Sequence, residues 1–316
     1  MQHPSFIIAH DPAAPPLGLA GAVVAIGNFD GVHRGHAGVL ARAKALAQKL
    51  GRPCAVLTFE PHPADYFAKR SVIFRLTTWQ AKAEAFARLG LEGMVVLSFD
   101  ADLAGLTAEH FVEDVLVKRL QVSAVVVGYD FHFGKARQGS PEFLQNAGVR
   151  YGFAVEVVAK IAQDAAGSLD AVSSTAIREA LVAGDVAAAA QLLGHNWFIE
   201  GEVVHGQKLG RTLGIPTANI VLDPSSHLRH GIYAVRCTAD DVTYNGVASF
   251  GRRPTVDNGP PLLEVFVFDF SGDLYGKEVE VDFVAWLRGE EKFDGLDALK
   301  AQMQRDVEKA REILGA

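Results

Sequence analysis

Residues 22–36 decide the fold and read AVVAIGNFDGVHRGH. The first five letters are a short apolar run, which predicts a buried parallel strand. Residues 37–50 are rich in alanine and leucine and are followed by Gly51, a pattern that predicts an α-helix ending at a glycine cap. A glycine-rich turn between a strand and a helix predicts a ligand site beyond the carboxyl end of that strand.

The turn carries two histidines, His33 and His36, at the start of the predicted helix. Backbone N–H groups at a helix N-terminus bind anions, Gly35 lets a phosphate approach closely, and the imidazoles add hydrogen-bond donors. The string is of the HxGH nucleotidylyltransferase type and predicts a nucleotide phosphate site. The alternative is a helix N-cap with surface histidines.

Bulk composition limits the class of protein. The chain has 316 residues, which suggests about two domains. Its net charge of −7 argues against a general nucleic-acid binder. Neither a signal peptide nor a long apolar run stands out, so we expect a cytoplasmic protein without a membrane partner or an obligate protein partner. Its two cysteines, Cys54 and Cys237, are expected to be reduced core thiols.

The first half alternates strand-like and helical segments, which is typical of an open parallel sheet. The predicted strands are 22–26, 54–59, 94–97, 124–127 and 154–158. The predicted helices are 37–50, 79–89 after Thr78, 107–120, and one that starts at Ser140-Pro141. This half is therefore expected to be a Rossmann-like α/β domain.

After two short helical segments, from residue 193 onward, the pattern changes to short strands separated by glycine, asparagine, aspartate and proline, which predicts a small antiparallel β-barrel. The strand-like runs are 198–204, 233–238, 242–249, 263–268 and 279–287. One amphipathic helix, 296–314, ends the chain. We predict a boundary near residues 183–185, with domains 1–185 and 186–316.

Three further segments of the first half are expected in loops at strand ends. Residues 58–63, TFEPHP, form a rigid loop because of their two prolines. Residues 128–134, GYDFHFG, offer aromatic rings that could stack on a planar ligand. Residues 173–178, SSTAIR, open a helix with hydroxyls and a guanidinium suited to phosphates.

A second glycine cluster, residues 206–219, reads GQKLGRTLGIPTAN. It falls one residue short of a P-loop, has Arg211 in place of the lysine, and has no predicted helix after it, so the P-loop interpretation fails. A different phosphate loop remains plausible, with Thr217 and Asn219 as oxygen ligands for Mg²⁺. Glu264 is either a general base or the polar-face residue of an edge strand.

The motifs together carry a family resemblance from about residue 23 to 314. In order they are GNFDGVHRGH, TFEPHP, GYDFHFG, SSTAIR, GQKLGRTLGIPTAN, GIY, GVASFGRRPTV, FDFSGDLYGK and LRGEEKF. The chain resembles the bacterial bifunctional riboflavin kinase/FMN adenylyltransferase family, also called FAD synthetases.

The resemblance implies two ATP-dependent steps with Mg²⁺, in which riboflavin is phosphorylated to FMN and FMN is adenylylated to FAD. It implies Glu264, His33 and His36 as catalytic residues. It implies first-domain ATP contacts from Gly27, Phe29, Asp30, His33, Gly35, His36, Ser174, Thr175 and Arg178. It implies flavin contacts from Pro61, His62, Pro63, Asp130 and Phe131, and kinase ATP contacts from Gly206, Gly210, Arg211, Gly214, Thr217 and Asn219, of which the last two bind Mg²⁺.

Three other interpretations compete with this one. A class I aminoacyl-tRNA synthetase shares an HxGH loop but needs a basic tRNA surface and a lysine-rich second signature. A non-catalytic flavin carrier would not need two phosphate loops. The nearest rival is a stand-alone HxGH nucleotidylyltransferase with an inactive second domain.

Overall fold

A computed structural model describes residues 6–159, 172–205, 216–223, 225–251 and 262–315. The chain divides into two compact units. The first comprises Met1–Ile73 with Thr77–Ser173, and the second comprises Phe74–Leu76 with Ser174–Ala316. The division before Ser174 lies upstream of the predicted domain limit at residue 185, which stays a prediction about the two catalytic domains.

The first unit is built on a six-stranded sheet in which every pair of neighbouring strands is parallel. Its order is β1-β4-β3-β2-β5-β6. The central strands are uninterrupted apolar runs because helices cover both of their faces. The strands are β1 Ile7–His10, β2 Val23–Ile26, β3 Cys54–Glu60, β4 Gly93–Ser98, β5 Ala124–Gly128 and β6 Ala154–Val158.

The predicted parallel sheet is therefore confirmed, with β1 as an additional edge strand. Strand β1 was not predicted, because its four residues IIAH include only two large apolar side chains. The helices of this unit are α1 Arg34–Leu50, α2 Pro63–Ala68, α3 Trp79–Arg88, α4 Ala101–Gly105, α5 Ala108–His110 and α6 Pro141–Tyr151.

Local capping accounts for where these helices begin. Helix α1 starts three residues earlier than predicted, because the side chain of His33 caps it by accepting from the N–H of His36. Thr78 caps α3 and Ser140 caps α6, as predicted. Gly51 ends α1 in the left-handed conformation with a φ of 62°.

Two predictions for the first unit are wrong in detail. The segment expected to be one α-helix over 107–120 is α-helical only through α5, and Phe111–Arg119 continue as a π-helix. Its apolar positions fit either winding, so periodicity alone does not separate them. The 58–63 segment is not all loop, because Thr58 and Glu60 belong to β3 and Pro63 begins α2.

The second unit contains a closed barrel of six strands in the order β10-β11-β8-β7-β12-β9, and every pair is antiparallel. This confirms the predicted barrel. The sequence analysis missed β8, which it placed in the second glycine cluster. The strands are β7 Trp197–Val204, β8 Ala218–Val221, β9 Gly231–Ala239, β10 Val242–Gly251, β11 Leu262–Val267 and β12 Glu278–Arg288.

In the described part of this unit, three helices accompany the barrel: α7 Ser174–Ala183, α8 Val186–Leu193 and α9 Leu296–Leu314. The bounds of α9 agree with the predicted terminal helix. Helices α7 and α8 contribute Ile177, Leu181 and Leu193 to the hydrophobic cluster that also contains the inward-facing barrel residues. The hydrophobic core of this unit therefore includes residues of α7 and α8, which precede the barrel in the sequence.

The two cysteines are buried, as expected from the sequence. Cys54 and Cys237 are free, buried thiols, and burial raises the pKa of Cys54 to about 12 and that of Cys237 to about 11. Among the described residues, no helix has both the length and the apolarity to cross a membrane.

Candidate active sites

The turn after β2 is strained and tightly held. Phe29 and Val32 adopt left-handed backbone conformations with φ values of 49° and 41°, which are unfavourable for residues with large or branched side chains. Asp30 is buried, and its Oδ1 accepts from the backbone N–H of Thr77 at 3.1 Å. Thr77 Oγ1 in turn accepts from the N–H of Gly31 at 2.9 Å. Such over-determined strain is typical of functional turns.

Asp30 has a structural part in this turn beside the direct ATP contact that the resemblance implies, and that contact stays a prediction. Its described bonds go to Thr77, and the side chain is only 2% exposed. These bonds hold the turn in place. Thr77 was missed by sequence reasoning, because nothing in its neighbourhood marks it as a partner of a residue 47 positions away.

The two histidines of the turn stack on each other. Their ring centroids lie 3.5 Å apart with 17° between the planes, and His33 Nδ1 accepts from the backbone N–H of His36 at 3.3 Å. His33 is thus the N-cap of α1, but it is only 5% exposed. The alternative of surface histidines is wrong.

The charge state of His36 is set by its surroundings. Burial of the ring, with smaller contributions from nearby His33 and Lys82, holds the pKa of His36 well below its usual 6.5. Its Nδ1 is buried and has no hydrogen-bond partner among the described residues. A neutral imidazole with an unpartnered nitrogen is suited to meet a ligand.

Two of the three glycines of the motif, Gly27 and Gly35, make room for rings. A Cβ on Gly35 would lie 3.1 Å from the ring of His33 and 3.3 Å from the carbonyl oxygen of Val172. A Cβ on Gly27 would lie 3.2 Å from the ring of Phe29. Glycine at these positions lets the buried rings pack under the turn, a reason that differs from the phosphate approach expected for Gly35.

The segment after β3 contacts the turn after β2. The side-chain amide of Asn28 lies 3.3 Å from Nε2 of His62, and His62 caps α2 by accepting from the N–H of Ala64. Lys82, from α3, donates to Glu60 at 2.8 Å and to the carbonyl oxygen of Asn28 at 3.3 Å.

Sequence reasoning missed Lys82. The signal was present, because Lys82 occupies the buried stripe of α3 together with Ala83 and Phe86. A cation at a core-facing helical position requires a buried partner, and that partner is a candidate site residue.

The 128–134 segment lies where it was predicted, at the end of β5. Phe131 and Phe133 stack with centroids 5.4 Å apart, and Phe133 is buried in the core. Asp130 is exposed and its carbonyl oxygen lies 2.9 Å from His132 Nδ1. The exposed rings of the segment are those of Tyr129 and His132, and Phe133 contributes to packing and not to an open aromatic surface.

The 173–178 segment opens a helix, as predicted. Ser174 and Thr175 are the first residues of α7, and Thr175 is exposed. Arg178 donates through Nε to the carbonyl oxygen of Phe74 at 2.7 Å. These three residues belong to the second unit, whereas the histidine turn belongs to the first.

The second unit holds a cavity of about 1100 Å³ lined by the barrel and α9. That volume lies slightly above the usual range for small-molecule sites and is large enough for more than one ligand. Thr217, Asn219 and Glu264 all line it. The barrel and the helix therefore bring together the residues that the sequence analysis singled out.

Backbone register explains this convergence. Glu264 on β11 is directly opposite Asn219 on β8 and Ser249 on β10. Because β11 has a neighbour on each side in a closed barrel, it is not an edge strand, and that alternative for Glu264 is wrong. Its neighbours Leu263 and Val265 face the barrel core, so Glu264 takes the opposite face.

Thr217 and Asn219 form a local pair. Asn219 is 4% exposed, and its Nδ2 donates to the carbonyl oxygen of Thr217 at 3.3 Å. Gly206, Gly210, Arg211 and Gly214, expected to bind the kinase ATP, lie outside the described residues. Among the described residues, no group of three or more histidine, cysteine, aspartate or glutamate side chains could hold a metal ion.

A parallel sheet with two histidines at a helix N-terminus, and a barrel cavity lined by Glu264, Thr217 and Asn219, fit a nucleotide-dependent transferase with two sites. Comparison with known families identifies the particular kind. Residues 18–176 match the family model of FAD synthetase, and residues 193–314 match that of riboflavin kinase.

Curated relatives match this chain over nearly its whole length. The bifunctional riboflavin kinase/FMN adenylyltransferase of Haemophilus influenzae is 43% identical over 300 residues, covering 94% of this chain and 96% of the relative. That of Escherichia coli K12 is 41% identical over 296 residues, covering 93% of each. The chain belongs to the bifunctional riboflavin kinase/FMN adenylyltransferase family and carries both enzymatic domains in this order.

A solved structure shares the fold. A Streptococcus pneumoniae protein described as a macrolide-efflux protein superposes with a TM-score of 0.81 and 32% identity, covering 97% of this chain and 99% of that one. The description of efflux belongs to that protein.

Proposed function

We propose that the barrel unit phosphorylates riboflavin to FMN and that the first unit transfers AMP from ATP to FMN, which yields FAD and pyrophosphate. The observation that carries the proposal is the presence of two chemically different polar sites in two units. One site is the stacked histidine pair of the first unit, and the other is the cavity lined in part by Glu264.

In the kinase step, the 5′-hydroxyl oxygen of riboflavin bonds to the γ-phosphorus of ATP. The bond from that phosphorus to the β–γ bridging oxygen breaks, and ADP leaves. Glu264 accepts the hydroxyl proton, and its place on a barrel strand facing the cavity supports this role. Phosphoryl transfer depends mainly on positioning and charge neutralisation, so a small set of residues is sufficient.

Mg²⁺ is part of the proposal, and the described residues fit it. Thr217 and Asn219 supply a hydroxyl and an amide oxygen at the wall of the same cavity as Glu264. Mg²⁺ prefers oxygen ligands and completes its shell with substrate phosphates and water. A site with few carboxylates therefore suits a cation that arrives with ATP.

In the adenylyltransferase step, a phosphate oxygen of FMN bonds to the α-phosphorus of ATP. The bond to the α–β bridging oxygen breaks, and pyrophosphate leaves. His33 Nδ1 accepts from the N–H of His36, so a neutral His33 carries its proton on Nε2. His33 and His36 then stabilise charge on the phosphates from the N-terminus of α1.

The remaining contacts complete the proposal. Gly27, Phe29 and Gly35 form the ATP turn, with Asp30 holding it through Thr77. Pro61, His62, Pro63, Asp130 and Phe131 contact the flavin. Ser174, Thr175 and Arg178 bind the pyrophosphate end, and Gly206, Gly210, Arg211 and Gly214 cover the phosphates in the kinase.

The adenylyltransferase domain spans 1–185 and the kinase domain 186–316, and the protein acts in the cytoplasm on these small molecules.

Two incubations of the purified protein test the proposal. Riboflavin with ATP and Mg²⁺ is expected to give FMN and then FAD, and FMN with ATP and Mg²⁺ is expected to give FAD and pyrophosphate. Chromatography of the flavins and a pyrophosphate assay report each product. FAD formation from FMN without any FMN formation from riboflavin would indicate a stand-alone nucleotidylyltransferase, and no product in either incubation would indicate a flavin carrier.

A further inference from the structure

Lys82 is the most deeply buried charged side chain near the histidine turn. Its side chain is 1% exposed, on a stripe of α3 that otherwise holds alanine and phenylalanine. Its ammonium group donates to Glu60 Oε1 at 2.8 Å and to the carbonyl oxygen of Asn28 at 3.3 Å. Glu60 is the last residue of β3, and Asn28 follows β2 by two residues.

The two acceptors belong to the two segments that form the candidate site. The carbonyl oxygen of Asn28 also accepts from Thr58 Oγ1 at 3.3 Å, and the Asn28 side chain lies 3.3 Å from His62 Nε2. Lys82 thus links the end of β3 to the turn after β2. The end of β3 is followed directly by the segment 61–63.

A packing role alone does not account for a lysine here. Burying an ammonium group is costly unless it is paired and hydrogen-bonded, and a methionine would fill the same apolar stripe without that cost. A lysine ammonium has three donors, which lets it bond a carboxylate and a carbonyl oxygen together. The charge is therefore explained by the two acceptors that it joins.

We infer that Lys82 is a positioning residue of the adenylyltransferase site, which holds the segment 61–63 against the turn after β2 and so sets the affinity for FMN. The inference rests on the proposed function, because it takes residues 61–63 as flavin contacts. The ATP side of the turn has its own support, because Thr77 donates its backbone N–H to Asp30 and accepts from the N–H of Gly31. Loss of Lys82 should therefore affect FMN more than ATP.

The test is Lys82→Met in the full-length chain, with steady-state kinetics of FAD formation. We expect the KM for FMN to rise about tenfold, within the range that misplaced positioning groups cause, while the KM for ATP changes less than about threefold. Riboflavin phosphorylation by the same preparation should stay unchanged. Lys44→Met is the matched control, because Lys44 bonds the carbonyl oxygen of Leu89 and should leave both KM values unchanged.

A double variant separates positioning from stability. Lys82→Met with Glu60→Met buries no unpaired charge, so it should fold even where the single variant does not. It still lacks the connection between the two segments, so its KM for FMN should remain raised. A normal KM for FMN in the double variant would show that Lys82 only neutralises Glu60, and it would overturn the inference.

Two further outcomes also decide the matter. A lower kcat with both KM values unchanged in Lys82→Met would indicate a smaller folded fraction and would overturn the inference. Absence of FAD formation by the unmodified protein would refute the proposed function itself. The two failures are distinguishable because the second is seen before any variant is made.

Discussion

The ring of His33 lies 3.5 Å from the ring of His36 and caps the helix that His36 belongs to. His33 therefore caps the beginning of α1 and also stacks on the ring of His36. The cap requires an unprotonated Nδ1 on His33, so that the proton of the neutral ring is on Nε2. The cap uses Nδ1, whereas the proposed phosphate contact of His33 uses Nε2, so one ring can serve both purposes.

Replacing both histidines should stop FAD formation and leave the kinase intact. In the variant His33→Ala, His36→Ala, two preorganised donors to the phosphates are lost, and one such donor is typically worth roughly 3 kcal/mol, or on the order of a hundredfold in rate. Turnover of FMN and of riboflavin, measured separately, checks this. His110→Ala, an exposed histidine on the same unit, is the control and should change neither rate. FAD formation at the parental rate in the double variant would remove both residues from the mechanism.

The low pKa of His36 predicts a pH dependence of stability. Unfolded His36 takes up a proton as the pH falls below about 6.5, whereas the folded ring does not. The unfolded state is then favoured, so His36 lowers the free energy of unfolding below pH 6.5, by up to about 1.4 kcal/mol per pH unit.

Hydrogen exchange of β2 and β3, read by mass spectrometry at pH 7.5 and 5.5, reports this change. Protection in the parent protein should fall between the two pH values by more than in His36→Gln, in which the residue does not titrate. Intrinsic exchange rates are the same for both proteins and cancel in the comparison. Equal loss of protection in the two proteins would show that His36 is not the group responsible.

The fold was largely predictable because its elements are local in sequence. Apolar runs, the glycine cap at Gly51 and the N-caps at Thr78 and Ser140 placed most helices and strands of the first unit. The strand β8 could not be recognised, because its four residues carry no alternation of their own and pair only across the barrel. The π-helix 111–119 has an apolar pattern that also suits an α-helix.

The candidate site was predictable where a motif carries its chemistry and not where a partner lies far away in sequence. His33, His36 and Glu264 stand in recognisable strings. Thr77 and Lys82 do not, because their importance comes from contacts with the turn after β2, 46 to 54 residues away. Such contacts depend on the order of the strands within the sheet, which the pattern of apolar runs along the sequence does not determine.

The buried residues of α7 predict that a stable kinase fragment should begin at residue 174 and not at residue 186. Ile177 and Leu181 on α7 are fully buried in the cluster that contains the barrel core. A fragment of residues 186–316 lacks both, and each fully buried aliphatic side chain contributes about 1.5–3 kcal/mol. We expect a fragment of residues 174–316 to unfold at a clearly higher temperature, measured by circular dichroism, and to keep riboflavin kinase activity. Equal midpoints for the two fragments would show that α7 does not stabilise the barrel.

Glu264→Gln provides the sharpest test of the kinase site. The glutamine keeps the size and hydrogen-bonding reach of the glutamate, and β11 is held on both sides by β10 and β8, so the barrel should fold normally. Only the ability to accept the proton of the 5′-hydroxyl is lost, which is typically worth about 10² to 10⁴ in rate. Riboflavin phosphorylation should fall by that factor, riboflavin binding should persist, and supplied FMN should still be converted to FAD at the parental rate.

A second variant separates the base from the metal. Asn219→Ala removes a proposed Mg²⁺ ligand but leaves the carboxylate of Glu264, so its kinase activity should recover in part as the Mg²⁺ concentration is raised. The activity of Glu264→Gln should not respond to Mg²⁺, because a missing proton acceptor is not replaced by a cation. Titrating both variants with Mg²⁺ at saturating ATP and riboflavin makes the comparison. Full kinase activity in Glu264→Gln would mean that the carboxylate is not the base, and recovery of both variants with Mg²⁺ would instead make Glu264 a metal ligand.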